Sequence, residues 1–436
     1  MKTTFRKGGI HPKDNKLTAN VPITTPVRPD TLTIILSQSI GAPSQAIVKA
    51  GDRVLAGQPI AAPGGYVSAA LHSPVTGTVK KITSTRDVAG YPVDAIEIER
   101  DNESDEIFEP LPPMELEKHY APADIVERVS QCGIVGLGGA TFPTAVKLSP
   151  GKGNRPEFVI INGAECEPWL TCDDRLMREQ ADCVVRGARW LMKAVKVQKC
   201  YVGIEENKPE AVFAMREAAG HHKNVEIVEL KKKYPQGVEK QLIDAILKRQ
   251  VPSGALPVYV GAIVDNVATA YAVYMACEKG LPLTSRVVTV TGLELKNPGN
   301  FLVENGTPVS ALIEAAGGLP ENTGKVISGG PMMGRAMATL DTPTTKGMSG
   351  ILVLPESMSH RKEPESCIRC GSCIDVCPMG LEPYLLAAQS VQNMWPDTKA
   401  HHVADCIECG SCVYTCPASR PLLDFMRLAK RQIRKL

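Results

Sequence analysis

"CIRCGSCIDVCP" spans residues 367–378, and "CIECGSCVYTCP" spans residues 406–417. Both read C-x2-C-x2-C-x3-C-P, so the two arrays take eight of the chain's 14 cysteines. A cubane iron–sulfur cluster needs four thiolates converging on one small volume. A C-x2-C-x2-C loop supplies three, while the fourth cysteine of an array cannot bend back and serves the other array's cluster. Cys367, Cys370, Cys373 and Cys416 are therefore assigned to one [4Fe–4S] cluster, and Cys406, Cys409, Cys412 and Cys377 to a second. Zinc takes four ligands in two pairs and fits two triplets plus two singles poorly. Gly371 with Ser372, and Gly410 with Ser411, leave room for amides to approach the sulfurs and raise the potential. Two clusters in one fold form a one-electron wire, and the residues before Cys367 must supply its terminals.

Composition limits what those terminals can be. At 436 residues the chain is long enough for roughly three domains. A net charge of +2 from 49 basic and 47 acidic residues gives no global field for nucleic acid or an acidic membrane, and no nucleic-acid partner is expected. No run approaches the ~18 apolar residues of a spanning helix, and the opening "MKTTFRKGGIHPKDNKLTANVP" lacks a secretory h-region, so a cytoplasmic chain is expected. The thiols are accordingly read as reduced. Cys132, Cys166, Cys172, Cys183, Cys200 and Cys277 lack C-x2-C spacing and read as small hydrophobes, mostly buried.

The first hundred residues read as short strands. "AIVKAGDRVLAGQPIAAP" and "LHSPVTGTVKKI" alternate apolar and polar positions between glycine turns. They resemble the two halves of biotinyl and lipoyl carrier domains, but no lysine stands between Arg53 and Lys80 to be modified, so a structural or docking role is expected. A polar, proline-containing run around residues 101–124 reads as a linker or strap. Beyond it, strand-like "EFVIINGA", "KCYVGI" and "VEIVEL" alternate with helical "RLMREQADCVVRGARWLMKAV" and "PEAVFAMREAAG", implying a largely parallel sheet. Residues 286 to about 355 return to short strands around one helix, "VSALIEAAGG".

Within the α/β part, "GIVGLGGATFPTAVKL" (133–148) has Gly136, Gly138 and Gly139 to turn tightly and offer amides to an anion. Thr144 to Lys147 can begin a helix, and Lys147 can meet a phosphate. Alone the loop is a weak signal, and a structural turn is an equally open reading. "INGAECEPWLTCDD" (161–174) follows an apolar strand and emerges where open α/β sheets bind ligands. Together the two stretches resemble the flavin-carrying, NADH-oxidising subunit of respiratory complex I. That resemblance implies non-covalent FMN, with Gly136, Gly138, Gly139 and Lys147 on its phosphate side, Asn162 and Glu165 at FMN, and Phe142 and Glu167 at NADH. "YPQGVEKQLI" adds Glu239, and "DNVATA" adds Asn266 and Thr269. Ala164, Thr141 and Val238 depart from that subunit's pattern.

The full arrangement, including "FRKGGIHPKDNK" and "VTGLELKNPGNFLVENGTPVSALI", resembles the RnfC family of the Rnf or Rsx ion-translocating complex. This implies a multidomain α/β and β protein. Expected units are a barrel-sandwich hybrid over 1–105, a linker over 106–120 and a Rossmann-like FMN/NADH domain over 121–285. A β-grasp unit of the soluble-ligand-binding (SLBB) type follows over 286–355, then a bacterial-type double ferredoxin with a C-terminal helix over 356–436. The implied activity is electron exchange between NAD(H) and ferredoxin-side partners, coupled to Na+ or H+ movement. The implied partners are the complex's other subunits and a ferredoxin-like carrier, and the implied place is peripheral, on the cytoplasmic face of the cell membrane. A cobalamin-reductase relative shares these parts, but the resemblance there puts the flavin domain first; a cluster-only wire and a nucleotide-independent binding scaffold are the remaining alternatives. In the tail "PLLDFMRLAKRQIRKL", Leu422, Phe425, Met426, Ala429 and Ile433 share a helix face, either to pack on the ferredoxin unit or to touch lipid. His401 and His402 read as exposed, and Trp169 as either a core aromatic or a cover for the flavin ring.

Overall fold

"FVIING", "KCYVGIE", "VEIVEL" and "AIVDN" carry apolar residues on both faces, the pattern of strands covered on two sides. In the computed structural model, which describes residues 2–25, 27–104, 106–151, 153 and 155–435, these become one parallel sheet. Its spatial order is Val225–Leu230, Lys199–Glu205, Phe158–Gly163, Ala262–Asn266. Alternate side chains feed two cores. Val159, Ile161, Val202 and Ile204 meet helices Ala181–Val195 and Val267–Glu278. Ile160, Val264 and Leu230 meet helix Glu239–Leu247 and Phe5 from the N-terminal segment. The strand order reverses between Phe158–Gly163 and Ala262–Asn266, whose ends align Asn162 with Asn266. Such a switch point opens a crevice at the carboxyl ends of the strands.

The stretch expected as one long helix is two, Cys172–Glu179 and Ala181–Val195, parted at Gln180 (φ −132°, ψ 31°). No proline or glycine marks the break. It lets the first helix cap the crevice while the second lies along the sheet.

The barrel's antiparallel sheets run from Thr31–Ile35 to Pro92–Arg100 around a core of Leu32, Ile60, Val79 and Ile98. Residues 2–25 lie outside them. Thr3 bridges Leu230, Ile10 bridges Tyr234, and Ile23–Thr24 pairs with Gly299–Glu304 at the edge of a mixed six-stranded sheet. The segment expected as a linker, 106–120, is docked: Met114 N–H donates to the Cys277 carbonyl (2.7 Å), and Met114 and Leu116 join the α/β core. The six-stranded sheet, with helix Val309–Ala315 on it, forms the β-grasp unit.

The cysteine arrays sit among short helices. The closing helix Leu422–Ile433 buries Leu422, Leu423, Met426 and Ala429 within the same unit. Its apolar stripe is thus used internally, and Arg427 and Lys430 pair with Glu408. Trp169 is a core aromatic beside Ile327, Leu352 and Leu354, and His401 and His402 are exposed.

Helices Ala181–Val195 and Val267–Glu278 touch at Gly187, where a Cβ would lie 1.8 Å from the Ala270 carbonyl oxygen. That backbone atom cannot yield without parting the helices. Gly187→Ala is expected to cost about 1–3 kcal/mol, read as a lowered thermal unfolding midpoint of the purified chain; an unchanged midpoint would show that the helices separate freely.

Candidate cofactor and cluster sites

The glycine loop runs along the crevice. Gly136 N–H donates to the Phe142 carbonyl (2.8 Å), closing the loop, and Leu137 N–H donates to Thr269 Oγ1 (2.9 Å), tying it to the helix after Asn266. Gly138 to Ala140 are exposed. A Cβ on Gly138 would rest 3.4 Å from Asn266, whereas Gly139 (φ +105°) faces open space. Asn266 caps its helix, accepting from Ala268 N–H (2.8 Å), and donates to Asp173 (2.6 Å). Asn162 donates to the Gly237 carbonyl (2.7 Å).

The carried-over charged residues are already engaged. Lys147 Nζ donates to the Val264 carbonyl (2.6 Å) and Asp265 (3.1 Å), with Glu239 at 4.0 Å. Burial opposes its charge, but Asp265 and Glu239 outweigh burial and raise its pKa. The Glu165 carboxylate accepts from the Asp173 and Asp174 amides (2.7 and 3.2 Å), capping helix Cys172–Glu179. Glu167 accepts from the Met332 and Met333 amides (2.6 and 3.1 Å), which fixes a loop of the β-grasp unit beside the second cysteine array. Burial raises the Glu167 pKa.

Sequence reasoning passed over the residues that hold these in place. Lys16 Nζ donates to the carbonyls of Glu165, Glu167 and Leu170 (2.8, 3.0 and 2.5 Å), and buried Lys208 to that of Ala164 (2.7 Å). Burial, then Glu165, pushes the Asp173 carboxyl up to about 7. Burial pushes the Cys166 thiol up to about 12 and raises that of Cys172, so neither is a thiolate at neutral pH. Lys16 lies within "FRKGGIHPKDNK", a legible signal; Lys208 and Asp173 had none of their own.

Two cavities lie among the cysteine arrays. One is lined by Cys367, Cys370, Cys373 and Cys416, the other by Cys377, Cys406, Cys409 and Cys412. Each draws three thiols from one array and one from the other, a donor set that fits a cubane cluster. In the flavin crevice, buried Thr144 Oγ1 and Asp265 Oδ2 have no hydrogen-bond partner among the described residues. Orphaned polar atoms there, beside a glycine loop with open space, fit a polar ligand.

Comparison with known proteins agrees with this layout. The family model for the Nuo51 FMN-binding domain matches residues 129–275, and that for the RnfC barrel sandwich hybrid domain residues 3–103. The SLBB domain model matches 287–336 and the 4Fe-4S dicluster domain model 359–417. The chain is thus built as a multidomain flavin and iron–sulfur protein. It is 45% identical to the RnfC-type protein of the Na(+)-translocating ferredoxin:NAD(+) oxidoreductase complex of Acetobacterium woodii, across 98% of this chain and 96% of that one. Identity to the counterpart from the proton-translocating ferredoxin:NAD(+) oxidoreductase complex of Clostridium ljungdahlii is 44%, across 100% and 95%. The chain belongs to the RnfC family. An NAD+-reducing [NiFe]-hydrogenase structure shares the fold (TM-score 0.50, 19% identity, 74% of this chain and 64% of that chain).

One buried cation buttresses the glycine loop. Lys346 Nζ donates to the carbonyls of Ala70 (2.8 Å) and Gly133 (2.7 Å), and burial lowers its pKa to about 7, with Cys132 opposing. An unfolded lysine holds its proton to about 10.5, so between about 7 and 10.5 the unfolded chain binds the extra proton and stability rises with pH. The stability difference between wild type and Lys346→Met is expected to grow in favour of wild type from pH 7 to 9.5, by up to about 1.4 kcal/mol per pH unit. Parallel pH profiles from denaturant titrations would contradict this.

Proposed function

We propose that this chain is the peripheral subunit of a membrane-bound, ion-translocating oxidoreductase. It exchanges electrons between NAD(H) and ferredoxin-side partners through FMN and two [4Fe–4S] clusters, coupled to Na+ or H+ transport. The observation that carries this reading is the sharing of eight thiols, four to each cavity, in a chain whose Rossmann-like sheet opens a glycine-lined crevice. When bound there, FMN supplies the interchange between the hydride pair of NAD(H) and the single electrons a cluster accepts.

The chain's own residues do the positioning. Gly136, Gly138 and Gly139 offer backbone amides to the FMN phosphate, and Lys147 with the first turn after Pro143 adds positive potential. Asn162 and Asn266, side by side at the switch point, bound the crevice floor, with Glu239 and Thr269 at its edges. Glu165 acts through its cap on helix Cys172–Glu179, which sets the wall against which FMN lies. Phe142 and Glu167 lie on the nicotinamide side. No acid or base is assigned, since hydride transfer needs alignment more than proton movement.

Among the described residues no helix is long and apolar enough to cross a membrane. Attachment through the other subunits of the complex, on its cytoplasmic face, accounts for membrane association.

Anaerobic purification is the direct test. The chain is expected to carry about eight irons and eight sulfides, to release FMN on denaturation, and to bleach in the visible on adding NADH. Clusters without FMN and silent to NADH would mark a one-electron wire instead. Gly138→Asp is expected to abolish FMN uptake while leaving iron content unchanged. Cys370→Ser is expected to remove about half the iron and leave NADH-to-dye turnover. Equal loss of both cofactors in the two variants would point to misfolding.

A further inference from the structure

The two cysteine cavities differ in their surroundings. Cys367 and Cys370 are exposed, and the chain from residue 361 to 370 is exposed throughout. Cys377 and Cys409 are buried, and each meets the flavin side of the molecule. At Cys377, the N-terminal segment crosses so closely that a Cβ on Gly8 would sit 2.5 Å from its carbonyl carbon. Gly9 N–H donates to the Val376 carbonyl (2.9 Å), and Gln241 to that of Pro378 (3.3 Å).

At Cys409 the contact is one side chain. Tyr234, only 2% exposed, donates its hydroxyl to the Cys409 carbonyl (2.8 Å). Its backbone is bonded both ways to Ile10 (2.9 Å each). Ile10, Tyr234 and Cys409 form a buried seam with Cys166, Met332, Val376 and Ile407 around it. Met332 is held there by Glu167, and its carbonyl lies 3.1 Å from where a Gly410 Cβ would be. The segment that leaves the flavin-site strand and the backbone between Cys409 and Cys412 therefore share one dry, hydrogen-bonded contact.

Building on the function proposed above, we infer that Tyr234 is a positioning residue that fixes the Cys409 arm against the flavin domain, making the centre of Cys377, Cys406, Cys409 and Cys412 the flavin-side member of the pair. The exposed centre then faces the partner. Transfer across the seam moves one electron from the flavin site, which is oxidised, to this centre, which is reduced; no bond forms or breaks. Tyr234 acts through the Cys409 backbone and takes no part in the transfer. Its hydroxyl dipole presents a positive end to that backbone, and hydrogen bonds around a cluster raise its potential.

The test uses the full chain, reconstituted anaerobically with iron, sulfide and FMN and poised chemically with dithionite while both reduced clusters are followed by EPR. Cys370→Ala and Cys412→Ala assign the two signals. Tyr234→Phe keeps the ring and removes the hydroxyl. It is expected to lower the midpoint of only the signal that Cys412→Ala removes, and to change its line shape. Gly8→Ala, pressing on Cys377 from the opposite side, is expected to perturb that same signal, so the inference stays open to refutation if Tyr234→Phe fails to assemble. A shift confined to the signal lost in Cys370→Ala, or no shift in either variant, overturns the inference. Because chemical poising needs neither NADH nor FMN, failure of the broader function, seen as no bleaching by NADH, is recorded separately.

Discussion

The structure depends on how the chain leaves strand Phe158–Gly163. Within seven residues it places two side chains in the left-handed region, Glu165 at φ +44° and Trp169 at φ +74°. Each costs about 1–2 kcal/mol for a residue with a Cβ. Cations and an acid offset that cost. Lys16 and Lys208 gather the carbonyls of residues 164, 165, 167 and 170, which no regular structure satisfies. Trp169 N–H reaches the Asp14 carbonyl (2.8 Å), so the turn is completed by chain from far away in sequence. The Glu165 carboxylate, freed by the same turn, caps the next helix. From this one segment Glu167 is delivered to the cluster-side seam and Asp173 to the crevice.

The glycine loop is governed in a comparable way, but from outside its domain. Arg286, buried and in the β-grasp unit, donates to the carbonyls of Lys346 (2.7 Å) and Leu137 (3.3 Å), while Lys346 holds that of Gly133. Gly133 sits at φ +61° with only 2.2 Å between a would-be Cβ and the Ala70 oxygen, so no other residue fits. Cations held by carbonyls rather than by carboxylates are expensive to bury. Their presence at the two ends of a loop that receives an anion is consistent with a crevice kept positive without a mobile surface lysine. Lys147, the lysine expected at the phosphate, is meanwhile held by Asp265 and acts through the local field.

What was legible in the sequence follows from the range of the interactions involved. The cysteine arrays are local and chemically rigid, so their spacing was enough to partition them between two centres, and the cavities divide the same way. Apolar runs marked the parallel sheet because burial on both faces leaves a continuous pattern. The docked strap 106–120 was not legible as such: Met114 and Leu116 bury there, and the carbonyl that holds Met114 lies some 160 residues on, at Cys277. The helix break at Gln180 had no breaker residue to betray it. Tyr234 stood inside "YPQGVEKQLI", a stretch that stands out for Glu239, while Cys409 stands out only as a ligand; the contact between them exists only in three dimensions.

The barrel's role also becomes an argument about contacts. Carrier domains of this shape present a lysine at a hairpin tip, and here the barrel instead reaches the flavin domain. Ile40 N–H donates to the Thr141 carbonyl (3.2 Å), at the loop residue whose φ is +51°. Ala70 accepts from Lys346, and Gln38 accepts from the Lys346 amide (2.9 Å). The barrel thereby touches the glycine loop at its middle and, through Lys346, at its start. A swinging carrier must be free to move; this one is bonded in place. Its shape has been kept as a brace, and the conformation of the loop from Gly133 to Phe142 is set jointly by three domains, of which only one contributes the loop itself.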